Sequence, residues 1–222
     1  MKKSLNGCGE LSRKILAILM ASAMLSSGAW ANDVYVEQIG DNAIVSITQT
    51  GAGNKVNGNV GGLGNDDDPA LILGDLNDVT INQIGSGNQI RMIINNGAGL
   101  GATVVVSANG NDNTQTIGCG TALSSTCSAG IISSQITGSN NNTIQTLTGG
   151  VVKSTIAING DWNNVTHTAS GIGLHSGEIT VSGSGTNLIA NVVTLTQSGS
   201  LTKNAVITSN GSNNNVIVTQ SD

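Results

Sequence analysis

Aromatic side chains are almost absent from this chain: they make up 1% of its residues, and Phe does not occur. Proline is as scarce, with a single residue, and charged residues supply only 9%. A wide core filled by aromatic rings, as in many enzyme domains, is therefore excluded. So are collagen and the highly charged class of disordered chain. What remains is Gly, with 31 residues, together with abundant Asn and small β-branched side chains, a composition that favours a thin repeat architecture.

Residues 1–31 have the features of a secretory signal peptide. A basic segment ending at Lys14 precedes an apolar stretch, 15–25, and Ala29-Trp30-Ala31 has the small residues that a signal peptidase accepts. We predict cleavage after Ala31, export through the periplasm, and a mature chain of residues 32–222. The net charge of the whole chain is −5, which argues against nucleic acid as a partner.

The interpretation of the cysteines and acidic residues follows from that export. Cys8 is removed with the signal, and Cys119 and Cys127 are predicted to form a structural disulfide in an oxidising compartment. No His or second Cys pair lies near them in sequence, so we expect no metal site, and the chain gives no signal for a cofactor. The acidic run Asp66–Asp68 is interpreted as a solvated loop, with calcium binding as the alternative.

The chain repeats a strand-like segment that ends in a Gly-rich turn and an Asn. Copies of this segment begin at Val34, Val79, Val104, Thr155, Ile179 and Val206. A second strand-like segment follows the turn, beginning at Ala43, Gln89, Thr143, Val165 and Val216. We therefore predict an all-β fold, a β-solenoid of roughly eight stacked strand-turn-strand units within 32–222. Insertions are expected near 59–73 and 118–130 and at 171–177, all on the edge opposite the short turns.

Alternation within these segments predicts which side chains face inward. Val79, Ile81 and Gln83 share one face, and Thr80 and Asn82 share the other. Coils stacked about 4.8 Å apart would pair each strand with its equivalents above and below. Inward Gln and Asn side chains would then form amide ladders, which satisfy buried polar groups. We attribute both the Gly and the Asn of the turn to a need for positive φ.

The run Gln-x-Gly-x-x-Asn, with a further Gln after it, resembles the repeat of curlins, the secreted subunits of bacterial curli amyloid fibres. Its first half is matched at Gln83 to Asn88 and at Gln49 to Asn54, and its second half at Asn191 to Gln197 and Asn214 to Gln220. Gln38 and Gln49 have the spacing of successive repeat glutamines. The repeat has Gln where this chain has Ala108, Ile158, Gly183 and Ser209. The predicted ladder residues are Gln38, Gln49, Asn54, Gln83, Asn88, Asn191, Gln197, Asn214 and Gln220.

The resemblance implies a secreted structural subunit, not an enzyme, that self-assembles into extracellular fibres for biofilm formation or surface adhesion. Its partners would be further copies of itself, a related fibre subunit or nucleator, and outer-membrane secretion machinery. The end strands, Val34 to Ile39 and Val216 to Gln220, contain no Pro or Lys that would protect an exposed edge. Such edges favour the addition of another chain.

A Thr-x-Thr pattern supports an alternative function. The pairs are Thr114/Thr116, Thr146/Thr148, Thr166/Thr168 and Thr194/Thr196. Stacked, they would form a flat array that resembles the ice-binding faces of solenoid antifreeze proteins. The alternative is a monomeric β-solenoid that binds ice or another surface through this array, or an adhesin.

The two histidines, His167 and His175, have no spacing typical of a catalytic nucleophile site. His167 is in phase with Val165, so we expect it to face inward in a hydrogen-bonded structural role. The sequence therefore gives no positive signal for catalysis.

Overall fold

The computed structural model describes residues 31–39, 41–58, 68–74, 77–96, 103–118, 130–147, 149, 151–171, 174–199 and 202–222. Three sequence predictions lie outside this part of the chain. They are the signal peptide apart from Ala31, the Cys119 to Cys127 loop, and Asp66 and Asp67 of the acidic run.

Every strand in the described residues belongs to one of three parallel sheets. Sheet 1 stacks β1 (Asp33–Val34), β4 (Lys55–Val56), β7 (Gln89–Arg91), β10 (Thr114–Thr116), β12 (Asn142–Thr146), β14 (Asn163–Ala169), β16 (Asn191–Gln197) and β18 (Asn215–Gln220). Sheet 2 stacks β3 (Ile44–Thr50), β6 (Asp78–Ile84), β9 (Thr103–Asn109), β11 (Gly130–Thr137), β13 (Val151–Asn159), β15 (Leu174–Ser182) and β17 (Lys203–Asn210). Sheet 3 stacks β2 (Val36–Ile39), β5 (Ala70–Gly74) and β8 (Ile93–Asn96).

The chain alternates between sheets 1 and 2, so each strand pairs with the strand one coil before it and the strand one coil after it. The predicted β-solenoid is confirmed, with about six turns where roughly eight units were predicted. In the first three coils the path from sheet 1 to sheet 2 also passes through sheet 3. The N-terminal coils therefore have three sides, and the later coils have two.

The core is a thin layer between the sheets. Along β16 the side chains alternate between buried and half-buried, and along β3 between exposed and buried. The buried rows contain Ile, Val, Leu, Ala and Met, with Ile81 and Ile90 among the largest fully buried side chains. Strand alternation places these residues between the sheets, as the period-2 pattern predicted.

The first repeat unit is shifted relative to the sequence alignment. The segment beginning at Val34 was matched to Val79, but the structure pairs Val34 with Val56 in sheet 1 and Val36 with Ala70 in sheet 3. It is Val45 that pairs with Val79. The first short turn is therefore the one after β3, not the Gly-rich turn before it.

Two insertions also differ from the prediction. The interval 59–73 includes most of β5, which extends sheet 3. A further insertion lies at 186–190 on the edge that was predicted to be compact, where Ile189 N–H donates to Thr186 Oγ1 at 3.0 Å. The sixth short turn consequently ends at Asn191, not at Asn187, and Val181, not Gly183, occupies the row of Gln83.

Candidate functional site

The short turns form a continuous column along one edge of the solenoid. At Gly110, φ is 136°, and a Cβ placed there would lie 1.9 Å from the carbonyl oxygen of Gly138 in the next coil. Only Gly fits both the left-handed backbone and this close approach. Backbone hydrogen bonds cross the column, for example from Gly110 N–H to Ile84 O at 2.9 Å. The parallel pairing of the strands thus continues through the turns.

The Asn that ends each turn has a different role from the one predicted. In six of the seven short turns, positive φ between 55° and 68° falls on the residue before this Asn, at Gly53, Gly87, Asp112, Asn140, Trp162 and Asn213. The terminal Asn is not among the positive-φ residues. Its side chain instead points into the solenoid and hydrogen-bonds along the stack.

These side chains form one ladder over the length of the solenoid, which we call the asparagine ladder. Its members are Asn32, Asn54, Asn88, Asn113, Asn141, Asn163, Asn191 and Asn214. Asn113 is a representative buried member: its Oδ1 accepts from the backbone N–H and from Nδ2 of Asn141, both at 3.0 Å. Its own Nδ2 donates to Asn88 Oδ1 at 2.9 Å and to Gly138 O at 2.7 Å. The side chains of the ladder are therefore hydrogen-bonded to the backbone of the glycine column.

Four ladder members were absent from the sequence prediction: Asn32, Asn113, Asn141 and Asn163. The last three each lie three positions after a turn glycine, as Asn54 and Asn88 do, so the signal was present in the sequence. The curlin-like pattern that defines the predicted ladder requires a glutamine, and these coils lack a glutamine at the position before the turn.

Among the described residues, inward glutamines pair with one another only near the two ends of the solenoid. Gln49 Nε2 donates to Gln83 Oε1 at 2.7 Å, and Gln197 Nε2 donates to Gln220 Oε1 at 2.9 Å. The row of Gln83 continues with Ala108, so no glutamine ladder extends through the middle coils. Gln38 lies outside both pairs. It faces Ile72 in sheet 3, and its Oε1 is buried without a hydrogen-bond partner.

His167 is fully buried in sheet 1. Its Nδ1 lies 2.9 Å from Ser154 Oγ, and its Nε2 lies 3.3 Å from Gln197 Oε1. The predicted inward, hydrogen-bonded position is thus what the structure shows. No group of three His, Cys, Asp or Glu side chains that could hold a metal ion occurs among the residues described.

The outer face of sheet 1 carries part of the predicted threonine array. Thr146, Thr168, Thr196 and Thr219 lie in register on successive strands, and we call them the threonine column. Thr166 and Thr194 lie beside it, between Ile144 and Ile217. Thr114 and Thr116 instead pair with Asn142 and Ile144, and Thr148 lies outside the described residues.

Both end coils leave inward apolar side chains only half covered. Val34 and Val36 pack on the core at the N-terminal end, and Val216 and Val218 do so at the C-terminal end. Lys203, in β17, is an inward residue of the C-terminal end that is charged and not apolar. It is 7% exposed and forms an ion pair with Asp222. Each end coil therefore has an unpaired sheet edge and inward valines that no further coil covers.

Comparisons with protein-family models, with curated proteins and with solved structures find no match to this chain. Within the described ranges, no helix is long and apolar enough to span a membrane.

Proposed function

We propose that this protein is a secreted structural subunit that assembles end to end into extracellular, curli-like amyloid fibres, which serve in biofilm formation or surface adhesion. The proposal depends above all on the end coils. Each exposes sheet edges, and each leaves two valines of the core rows half covered. A second copy that continues the sheets would cover these valines and pair the edges.

The interior of the solenoid supports the same function. In the asparagine ladder, the Asn Oδ1 of each coil accepts from the Asn of the coil that follows it. A coil added at the end would therefore form the same hydrogen bonds as the coils already present. Growth by repetition needs no catalytic group and no cofactor. The partners in this proposal are further copies, a related subunit or nucleator, and the outer-membrane machinery that exports the chain from the periplasm.

The proposal is tested with residues 32–222 purified as monomer. At micromolar concentration we expect light scattering to rise over hours, thioflavin fluorescence to follow it, and the fibres to give a reflection at about 4.8 Å along their axis. Protein that stays monomeric for days would contradict the proposal.

Two substitutions on β18 provide a matched pair. Val218→Asp places a charge in an inward row that an incoming copy must cover, so we expect it to block assembly. Thr219→Asp places the same charge on the outer face, where Thr219 is exposed, and should leave assembly nearly unchanged. Circular dichroism at low concentration checks that both variants remain folded. Equal assembly by the two variants would count against end-to-end stacking.

A monomeric solenoid that binds ice or another ordered surface is a second candidate, and the threonine column favours it. Four threonines in register present methyl and hydroxyl groups, one per strand, on the outer face of sheet 1. An adhesin would use the same kind of surface. If the column binds ice, Thr168→Lys should abolish inhibition of ice recrystallisation, while Thr180→Lys on the outer face of sheet 2 should not. Absence of inhibition in the unmodified protein would eliminate the ice-binding candidate.

A further inference from the structure

The two main sheets contain unequal numbers of strands, eight in sheet 1 and seven in sheet 2. The described strands both begin and end in sheet 1, with β1 and β18. If copies of residues 32–222 simply placed β1 of one copy on β18 of another, β17 and the incoming β3 would be two levels apart. One strand of sheet 2 would then be missing at every joint, and the apolar rows would be open there.

The two end segments of the chain have the same inward residues. Residues 32–38 read Asn-Asp-Val-Tyr-Val-Glu-Gln, and residues 214–220 read Asn-Asn-Val-Ile-Val-Thr-Gln. Asn, Val, Val and Gln recur at the inward positions, whereas all three outward positions differ and two of them differ in charge. Asn32 and Asn214 are the two ends of the asparagine ladder, and Val34 and Val216 are the two ends of one core row.

The C-terminal segment also makes the better set of contacts. Gln220 Oε1 accepts from Gln197 at 2.9 Å, and its Nε2 donates to Asn204 O at 3.1 Å. The equivalent Gln38 Oε1 is buried without a partner. In the N-terminal segment, β1 pairs only Asp33 and Val34 with sheet 1, and the chain then turns into β2. β18 stays in sheet 1 over its full length.

We propose that copies join by strand replacement, in which residues 214–220 of one copy take the place of residues 32–38 in the next copy. This inference rests on the proposed function. In such a joint β17 pairs directly with the incoming β3, and β18 lies on the incoming β4, so neither sheet 1 nor sheet 2 lacks a strand. The displaced β2 leaves β5 as the edge strand of sheet 3. Asn214 then accepts from Asn54 of the next copy, as Asn32 does within one chain.

Disulfide trapping distinguishes this joint from simple stacking. Strand replacement places Thr208 of one copy opposite Thr48 of the next, because these outward residues end one column of sheet 2. Simple stacking places Asn215 opposite Asp33. Neighbouring Cα atoms of paired strands, about 4.8 Å apart, are within disulfide range. Within one chain each pair spans the whole stack, so a disulfide between its members reports a joint.

The experiment mixes a Thr208→Cys copy with a Thr48→Cys copy, oxidises the fibres, and identifies the linked peptides by mass spectrometry. We expect this pair to link and the Asn215→Cys with Asp33→Cys pair not to link. Thr180→Cys, one coil inside Thr208, is the negative control with Thr48→Cys. Fibres that link Asn215 to Asp33, or that link neither pair, would overturn strand replacement while leaving fibre formation intact. Absence of any fibre would instead overturn the proposed function.

Two glycine substitutions, at Gly211 and at Gly58, give a second test. A Cβ on Gly211 would meet only Asn214 Nδ2, at 3.7 Å, although every other glycine of the column from Gly51 to Gly183 faces a carbonyl of the next coil at 1.9 to 2.1 Å. Strand replacement puts Gly51 of the next copy over Gly211, and simple stacking leaves that space empty. Gly211→Ala should therefore fold and yet elongate on the order of tenfold more slowly or worse.

Gly58→Ala is the matched control for backbone strain. Its φ of 98° is close to the 101° of Gly211, and its Cβ would meet a flexible Arg91 side chain at 3.2 Å. We expect it to fold and elongate at nearly the normal rate. If Gly211→Ala elongates as fast as Gly58→Ala, β3 does not lie on β17 and strand replacement is wrong.

Discussion

Replacing Asn113 by Ala removes one rung from the middle of the asparagine ladder. Two polar groups lose their side-chain partner, the backbone N–H of Asn141 and the carbonyl oxygen of Gly138, and Nδ2 of Asn141 keeps only its bond to Gly160 O. Asn113 and Asn141 are both at most 1% exposed, so water does not reach these groups without a local opening of the turn. Each buried unsatisfied group costs about 1 to 3 kcal/mol, so the two together give a loss of at least about 2 kcal/mol in the free energy of unfolding.

Urea unfolding followed by circular dichroism measures this loss, at a concentration where light scattering shows no assembly. Asn164→Ala is the control, because Asn164 is exposed and accepts only from Asn142 Nδ2, at 3.3 Å, on the outer face. We expect the control to change stability by less than about 0.5 kcal/mol. A loss below about 1 kcal/mol for Asn113→Ala would refute the ladder as a source of stability.

Three further outcomes follow from the interior and from the loops. Gln83→Leu should cost about 2 to 4 kcal/mol in urea unfolding, because Gln83 accepts from one buried amide and donates to two backbone carbonyls, whereas Asn82→Thr on the outer face should be nearly neutral. Equal effects of these two changes would mean that the assignment of inward and outward faces is wrong. Gly110→Ala should prevent folding of the coil around it, which native-state hydrogen exchange would show as lost protection; unchanged protection would contradict the close packing of the turns. Replacing both Cys119 and Cys127 by Ser should cost at most about 3 kcal/mol and leave assembly intact, and loss of export or folding in that variant would show the loop to be central.

The fold class could be predicted from sequence because two local signals repeat along the chain. Alternating apolar residues define the strands, and a turn glycine defines their ends. Both signals report short-range geometry, and a thin stack of such units has few architectures open to it. The inward position of His167 followed from the same alternation.

The boundaries of the repeat were harder to predict, because one local pattern occurs at two kinds of corner. The turn at Asp41 and Asn42 looks like a short turn, and Asn42 has the same positive φ of 56°. It is followed by Ala43, whose side chain has no amide, so it does not join the ladder. Contacts between residues more than twenty positions apart decide on which coil a strand lies. A local sequence pattern carries no information about these contacts.

The ladder composition was mispredicted for a related reason. Glutamine at the end of a strand in sheet 2 can be exchanged for Ala108 or Ile158, since an apolar side chain fills that row without leaving a polar group unpaired. Asn at the turn exit recurs in every described coil, and in most of them its amide binds both a backbone N–H of the next coil and a glycine carbonyl, which an apolar side chain would leave unpaired. The residue type is therefore more strictly constrained at the asparagine position than at the glutamine position.

The amide groups of the asparagine ladder all point in one direction. From Asn54 onward, the side-chain or backbone N–H of each member donates to the Oδ1 of the member one coil earlier in the chain. The small dipoles of these amides therefore add along the axis, as peptide dipoles do in an α-helix. One end of the solenoid presents donors, and the other presents the acceptor Oδ1 of Asn214. Two like ends cannot complete the ladder between them, so a filament of the kind proposed above would have a direction, and its two tips would differ chemically.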